Sequence, residues 1–121
     1  MAGDSNYGDR RKIVNIFTAP FRPYDMEGKV EDDKSYIPLT YDRGRDMMGS
    51  YVIRMKPGAA FTPHTHRWNE DYLIIEGDLI ESDGHVLGAG DFVHYDPGTR
   101  HSSRTEKGCL LIACDWGVMA K

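Results

Sequence analysis

From about Ser35 onward, the sequence alternates short β-prone runs with turn signals. Residues 51–55 end at a Pro-Gly turn, residues 70–75 end just before Gly77, and a last apolar run spans residues 109–114. Short runs separated by glycine and proline are typical of a β-sandwich or β-barrel. Because no apolar period of 3.6 residues survives over three turns, we expect no long helix. The sequence therefore predicts an all-β fold, with one barrel over residues 36–121.

Residues 1–35 differ from the rest, because they are polar and irregular. We expect them to form an N-terminal arm with one strand, at Lys12–Phe17, packed across the barrel or across a neighbouring subunit. The charged stretch Asp25–Lys34 is predicted to be a mobile loop. At 121 residues the chain has the length of a single domain with one core.

Two histidines near the middle of the chain share one face of a predicted strand. His64 and His66 are one residue apart, so their imidazoles point the same way in extended chain, and Pro63 favours that geometry. Residues 67–69 can turn the chain so that Glu70 begins the next strand from that face. Two imidazoles and a carboxylate at one point form a facial triad, which suits a divalent metal with open positions.

A second stretch, residues 90–101, places His101 after a Pro97-Gly98 turn. The first stretch resembles cupin motif 1, G-x5-H-x-H-x3-E-x6-G, in full. The second resembles cupin motif 2, G-x5-P-x-G-x2-H-x3-N, with Asp96 in place of the proline and Thr105 in place of the asparagine. The resemblance covers roughly residues 50–115. It implies a jelly-roll barrel that binds one divalent metal ion through four ligands: His64, His66, Glu70 and His101.

A narrower likeness connects residues 70–109 to one cupin subgroup. That subgroup includes the zinc-binding cupin domain of anti-sigma factors and relatives that resemble acetylacetone-cleaving dioxygenases. The acetylacetone-cleaving enzymes generally present three histidines without the glutamate, so Glu70 departs from their pattern.

Strand parity assigns several further side chains. Tyr72 and Ile74 follow Glu70 at period two and should face the interior, whereas Leu73 and Ile75 should face outward. An outward apolar row needs a cover, either the arm or a second subunit, which motivates a homodimer prediction. Ser103 and Thr105 share the parity of His101 and either line the pocket or satisfy one another. The predicted catalytic residues are Glu70, Tyr72 and Ser103.

Other polar and aromatic residues are expected to have ordinary structural roles. His85 should be exposed in a hairpin, and His94 should hold an ordinary strand position. Trp68 is expected to act as a lid or packing residue. Arg54 would anchor an anionic substrate only if its face is inward.

Composition excludes several classes of function. A net charge of −4 without a dominant basic run argues against a nucleic-acid-binding surface. No apolar run resembles a signal peptide's core or is long enough to span a membrane, so we expect a cytoplasmic protein. Cys109 and Cys114 have an odd spacing on one strand, which predicts opposite faces and no disulfide between them.

Two kinds of function remain. Three histidines and one glutamate leave two positions of an octahedral ion free. We therefore expect a non-haem iron dioxygenase acting on a small organic substrate such as a diketone or hydroxy-ketone. With Zn²⁺, Mn²⁺ or Ni²⁺ the same site would suit an isomerase or lyase. The alternative is a zinc-binding ligand-binding or sensor module. Residues 1–35 do not resemble the helical sigma-binding domain of such a regulator, which favours the enzyme. Fe²⁺ and Zn²⁺ are the expected metals.

Overall fold

The computed structural model describes residues 5–26 and 28–117. These residues form nine β-strands and short 3-10 turns at Gly8–Arg10 and Arg43–Arg45, with no α-helix. The strands are β1 (Arg22–Tyr24), β2 (Glu31–Pro38), β3 (Gly49–Met55), β4 (Ala60–Thr65), β5 (Asn69–Glu81), β6 (Val86–Gly88), β7 (Phe92–Tyr95), β8 (Arg100–Arg104) and β9 (Cys109–Trp116). Within this described part, no helix has the length and apolarity to cross a bilayer.

All strand pairs are antiparallel, in the order β1-β2-β3-β9-β5-β8-β4, and β6 and β7 pair with β5. The first half of β5 pairs with β9 and β7, and its second half pairs with β6 and β8. This long strand therefore passes from one layer of the curled sheet to the other, as in a jelly roll. The all-β jelly-roll prediction is confirmed.

The interior of the curled sheet contains the main core. Tyr72 and Ile74 are 6% and 1% exposed, as strand parity predicts. Ile75 instead packs on the outer face against a smaller apolar cluster around Val52 and Leu110. Leu73 also faces outward and is 42% exposed. The homodimer that would cover it stays a prediction.

The N-terminal arm packs on the outer face without forming the strand predicted at Lys12–Phe17, so that prediction is wrong. Val14 and Ile16 contact the outer cluster. Their alternating burial gives the same sequence pattern as a β-strand, although this part of the backbone pairs with no sheet. The strand in this region is β1, which pairs with β2.

The loop predicted over Asp25–Lys34 is wrong in its last residues, because β2 begins at Glu31. The charged residues of this stretch predicted an exposed loop, but one of them, Lys34, is buried in a strand. Its ammonium group lies 2.9 Å from Glu31 and donates to the carbonyl of Ala60 at 2.6 Å. A buried charge with these partners is compatible with a strand.

The two cysteines are free thiols, as their spacing predicts. Cys109 is buried inside the sheet, whereas Cys114 is only half-buried.

Candidate metal centre

Four potential ligand side chains converge from three strands. His64 lies near the end of β4, directly opposite His101 on β8. Glu70 is the second residue of β5. One candidate ligand atom from each of His64, His66, Glu70 and His101 lies within 4.8 Å of the others. The sequence-predicted ligands are therefore brought together in a cluster compatible with a divalent metal.

His66 follows β4, and the Pro97-Gly98 turn of the second motif fixes its backbone. Its backbone N–H donates to the carbonyl of Thr99 at 2.8 Å, and its own carbonyl accepts from the N–H of Gly98 at the same distance of 2.8 Å. Gly98 has a φ of +89°, which the tight turn requires and which glycine adopts without strain. The Pro97-Gly98 turn thus connects His66 to the strand that carries His101.

Each imidazole has an oxygen beside its Nδ1 atom. The hydrogen-bond acceptors are the Thr62 carbonyl at 2.8 Å for His64 and Glu81 Oε1 at 3.3 Å for His101. Glu70 Oε1 lies 3.3 Å from His66 Nδ1 without forming a hydrogen bond. An acceptor at Nδ1 favours the N–H there and leaves the lone pair on Nε2. Metal-binding histidines commonly have this arrangement.

Several atoms of the cluster are buried without a hydrogen-bond partner. Among the described residues, His66 Nε2, His101 Nε2 and Glu70 Oε1 have none. Buried acceptors without partners cost free energy, which a coordinated cation would offset. These three atoms belong to three of the four converging side chains, so the donor set fits a divalent metal ion.

Electrostatics set the protonation of two of these groups in the absence of metal. Burial, followed by the neighbouring His101 and His64, lowers the pKa of His66 to about 4. Burial, followed by Asp115, raises the pKa of Glu70 to about 9. His66 is therefore neutral near pH 7, which is the form that binds metals, while Glu70 needs a nearby cation to ionise readily.

Asp115 is a member of the site that the sequence reasoning missed. It lies opposite Glu70 in the β5–β9 pair, and the Tyr51 hydroxyl lies 3.0 Å from Asp115 Oδ2 and 3.3 Å from Glu70 Oε2. Burial raises the pKa of Asp115. The signal was available in the sequence, because Asp115 continues the inward alternation of Leu111 and Ala113.

The cluster lies beside a cavity of about 500 Å³ that reaches the surface. This volume is in the range of pockets that enclose small organic molecules. Aromatic rings form much of its wall: Tyr24, Tyr41, Tyr51, Phe61, Trp68 and Tyr72. Its polar lining includes His64, His66 and Glu70 of the cluster and the neighbouring Asp115, together with Lys29, Glu31, Thr62, Thr65 and Arg67. The arrangement can hold a cation at the cluster and a compact apolar molecule along the rings.

The other predicted pocket residues have different positions. Tyr72 lines the cavity, and burial, followed by the neighbouring Glu70, raises the pKa of its hydroxyl. Ser103 is buried, and its Oγ atom has no hydrogen-bond partner among the described residues, but it is not among those lining this cavity. Thr105 does not line it either, because its hydroxyl donates to Asp78 at 2.6 Å and shapes a turn. Trp68 is half-buried in the cavity wall and donates to the carbonyl of Asp46 at 3.0 Å. Arg54 is exposed outside the barrel, stacked over Phe21.

The two remaining histidines lie outside the cluster, as predicted. His85 is exposed, and His94 is on the outer face of β7 between two carboxylates. His94 Nδ1 is 2.6 Å from Asp71, and its Nε2 is 3.0 Å from Asp96. Hydrogen bonds to Asp71 and then Asp96 raise the pKa of His94.

This arrangement predicts a pH-dependent contribution to stability. Because the pKa of His94 is higher in the folded than in the unfolded chain, its contribution is complete below about pH 6.5 and is lost as the pH rises through the raised value. Thermal unfolding of metal-free protein between about pH 6 and about pH 9 should show a steeper fall in Tm for the wild type than for His94→Gln. His85→Gln should behave like the wild type. Identical pH profiles for the wild type and His94→Gln would contradict this assignment.

The curled antiparallel sheet with a His/Glu cluster in its interior defines a cupin. The chain belongs to the family described as the ChrR cupin-like domain, whose model matches residues 30–119. A sequence comparison with curated proteins finds no match.

Solved structures with the same fold have diverse functions. The acetylacetone dioxygenase from Acinetobacter johnsonii superposes with a TM-score of 0.71 and 15% identity, over 88% of this chain and 74% of that one. The anti-sigma ChrR of Rhodobacter sphaeroides, solved in complex with SigE, gives 0.64 and 19%, over 84% of this chain and 51% of that one. An RmlC-like cupin from Shewanella frigidimarina gives 0.65 and 18%, over 85% and 87%. At these identities the likeness shows the fold alone.

Proposed function

We propose that this cupin is a metal-dependent dioxygenase of the non-haem iron type, acting on a small organic substrate such as a diketone or hydroxy-ketone. The observation that carries the proposal is the convergence of three imidazoles and one carboxylate within 4.8 Å, beside an aromatic cavity that His64, His66 and Glu70 line. One divalent ion, expected to be Fe²⁺, would be held by four side chains: His64, His66, Glu70 and His101.

The bound ion would supply Lewis-acid and one-electron chemistry at the positions that the four side chains leave free. The chain's own residues would bind the ion, orient the reacting groups and exclude water. Glu70 would hold the ion and could accept a proton from the substrate. Tyr72 would orient Glu70 through its hydroxyl group, whereas Ser103 lies outside the cavity lining and would not contact a ligand there. The aromatic wall would exclude water from the reacting atoms.

The shape and chemistry of the cavity support a compact, largely apolar substrate. Of the two cationic side chains that line it, Arg67 is committed to Asp46, with its guanidinium 2.9 Å from the carboxylate, which leaves Lys29. Polyanionic substrates would meet Glu70 and Asp115. A molecule with one or two oxygen donors and an apolar body fits this distribution better.

Oxygen consumption tests the proposal. Protein purified without a histidine tag and loaded with Fe²⁺ is expected to consume oxygen with at least one member of a panel of 1,3-diketones, catechols and hydroxy-ketones. Fe²⁺ in buffer and the metal-free protein are the matched controls. An iron-loaded protein that consumes no oxygen with any of these substrates would overturn the dioxygenase proposal.

A second candidate is a zinc-binding ligand-binding or sensor module. The ChrR-like family membership and the fold shared with an anti-sigma factor favour it. Zinc as the metal retained on purification, together with no oxygen uptake after iron loading, would support this candidate. An isomerase or lyase would instead convert a substrate from the same panel without consuming oxygen.

A further inference from the structure

Glu81, the last residue of β5, places its largely buried carboxylate beside His101. Its side chain is 9% exposed and that of His101 is 7% exposed, and Glu81 Oε1 lies 3.3 Å from His101 Nδ1. Glu81 is paired in register with Ser103, two residues after His101 on β8. A carboxylate this deep in a small domain is uncommon without a specific partner.

An irregularity in β5 lets both of its ends reach the interior. Glu70, Tyr72 and Ile74 face inward at period two, and Glu81 has the inward parity of Leu79, which is fully buried. An unbroken strand would send Glu70 and Glu81 to opposite faces, because their spacing is odd. The register shift between Ile74 and Glu76 restores the inward direction. β5 thus supplies the potential ligand Glu70 near one end and, at the other end, the carboxylate of Glu81, which contacts the potential ligand His101.

We infer that Glu81 is a positioning residue for His101, an inference that rests on the proposed metal-binding role of His101. By accepting the Nδ1–H, the Glu81 carboxylate fixes the tautomer that leaves Nε2 with a lone pair. His101 Nε2 is buried and has no hydrogen-bond partner among the described residues, so it remains available to a metal. A carboxylate at Nδ1 also makes Nε2 a stronger donor to a metal.

The ring of His101 is restrained from a second direction. The Tyr95 ring lies 4.4 Å from the His101 ring, centroid to centroid, so it packs against the imidazole that Glu81 orients. A second cavity of about 430 Å³ lies on this side, lined by Glu81, Tyr95 and His101 among others. Glu81 therefore lies between the cluster and a space that the main cavity does not include.

The histidines of the cluster differ in the group beside the Nδ1 atom. This difference allows the role of Glu81 to be tested by substitution. His64 is oriented by a backbone carbonyl, which no substitution removes, whereas His101 depends on a side chain. Glu81→Leu removes the acceptor at similar size and is expected to weaken Zn²⁺ or Co²⁺ binding by about 10- to 100-fold. Glu81→Gln keeps an acceptor oxygen and is expected to lose less than about tenfold.

The matched control is Glu106→Leu, at an exposed glutamate outside β5, which should leave the dissociation constant unchanged. The second readout is the ¹⁵N NMR spectrum of the histidines in metal-free protein. His101 is expected as the Nδ1–H tautomer in the wild type and as a mixture of tautomers or the Nε2–H form in Glu81→Leu. A merely structural glutamate would not change this tautomer. If Glu81→Leu does not fold, Glu81→Ala removes the acceptor without adding bulk and has the same expected result.

The outcomes separate this inference from the proposed function. Wild-type protein that binds neither ion would overturn the metal proposal and this inference with it. Wild-type binding with unchanged affinity and an unchanged His101 tautomer in Glu81→Leu would overturn the role of Glu81 alone.

Discussion

Replacing His66 with alanine is expected to weaken binding of Zn²⁺ or Fe²⁺ by more than about 100-fold. Loss of a residue that only hydrogen-bonds to a metal ligand already lowers metal affinity by about 10- to 100-fold. His66 is held in place through its backbone. It is buried, its Nε2 atom has no hydrogen-bond partner among the described residues, and its backbone is fixed by Thr99 and Gly98. No other described side chain of the cluster is free to take its place, because each already offers one ligand atom.

His85→Ala is the matched control, because it also removes one imidazole but from an exposed hairpin. Metal content after dialysis and calorimetric titration would measure the difference. A metal at about 100 times its dissociation constant stabilises the folded state by about 2.7 kcal/mol, which corresponds to a rise in Tm of about 10 °C for a domain of this size. The wild type and His85→Ala should show this rise and His66→Ala should not. Equal metal binding by His66→Ala would contradict the ligand assignment.

Local strand geometry was sufficient to predict three of the four converging side chains. His64, His66 and Glu70 are separated by a period-two step and one turn, so their convergence depends on a few residues. His101 requires the register of β4 against β8, which a long intervening chain determines. Spacing alone does not encode that register, and the position of His101 came from the resemblance to the cupin motifs.

The two carboxylates missed by the sequence reasoning depend on irregular or long-range features. Asp115 follows the simple parity of β9, but its role depends on pairing with Glu70 across the sheet. Glu81 requires a register shift within β5, which reverses the expected face. The strand predicted at Lys12–Phe17 failed for a related reason. An arm on a sheet and a strand within it both bury alternate side chains, and the pattern does not distinguish them.

Gly77, at the end of the first motif, is expected to be highly sensitive to substitution, because a side chain there would disturb folding. It lies on β5 between Glu70 and Glu81, with a φ of +83°. A Cβ atom there would overlap the backbone carbonyl of Gly108, and the backbone of Cys109 is also close. Strand β9 pairs with β5 at this point, so the sheet would have to separate to accept a methyl group. Gly77→Ala therefore combines backbone strain with a clash between two paired segments of the sheet.

Gly77→Ala is expected to lower the free energy of unfolding by about 3 to 4 kcal/mol, of which about 1 to 2 kcal/mol is the cost of the left-handed backbone and the rest is overpacking. Gly84→Ala isolates the first part, because Gly84 has a φ of +90° and nothing lies within 4 Å of its Cβ position. Urea unfolding of the two variants and the wild type in the metal-free state would measure both costs. Equal destabilisation by the two substitutions would mean that conformation alone accounts for Gly77. A larger loss for Gly77→Ala would identify it as the position that holds β5 against β9, and with it the strand whose two ends carry Glu70 and Glu81.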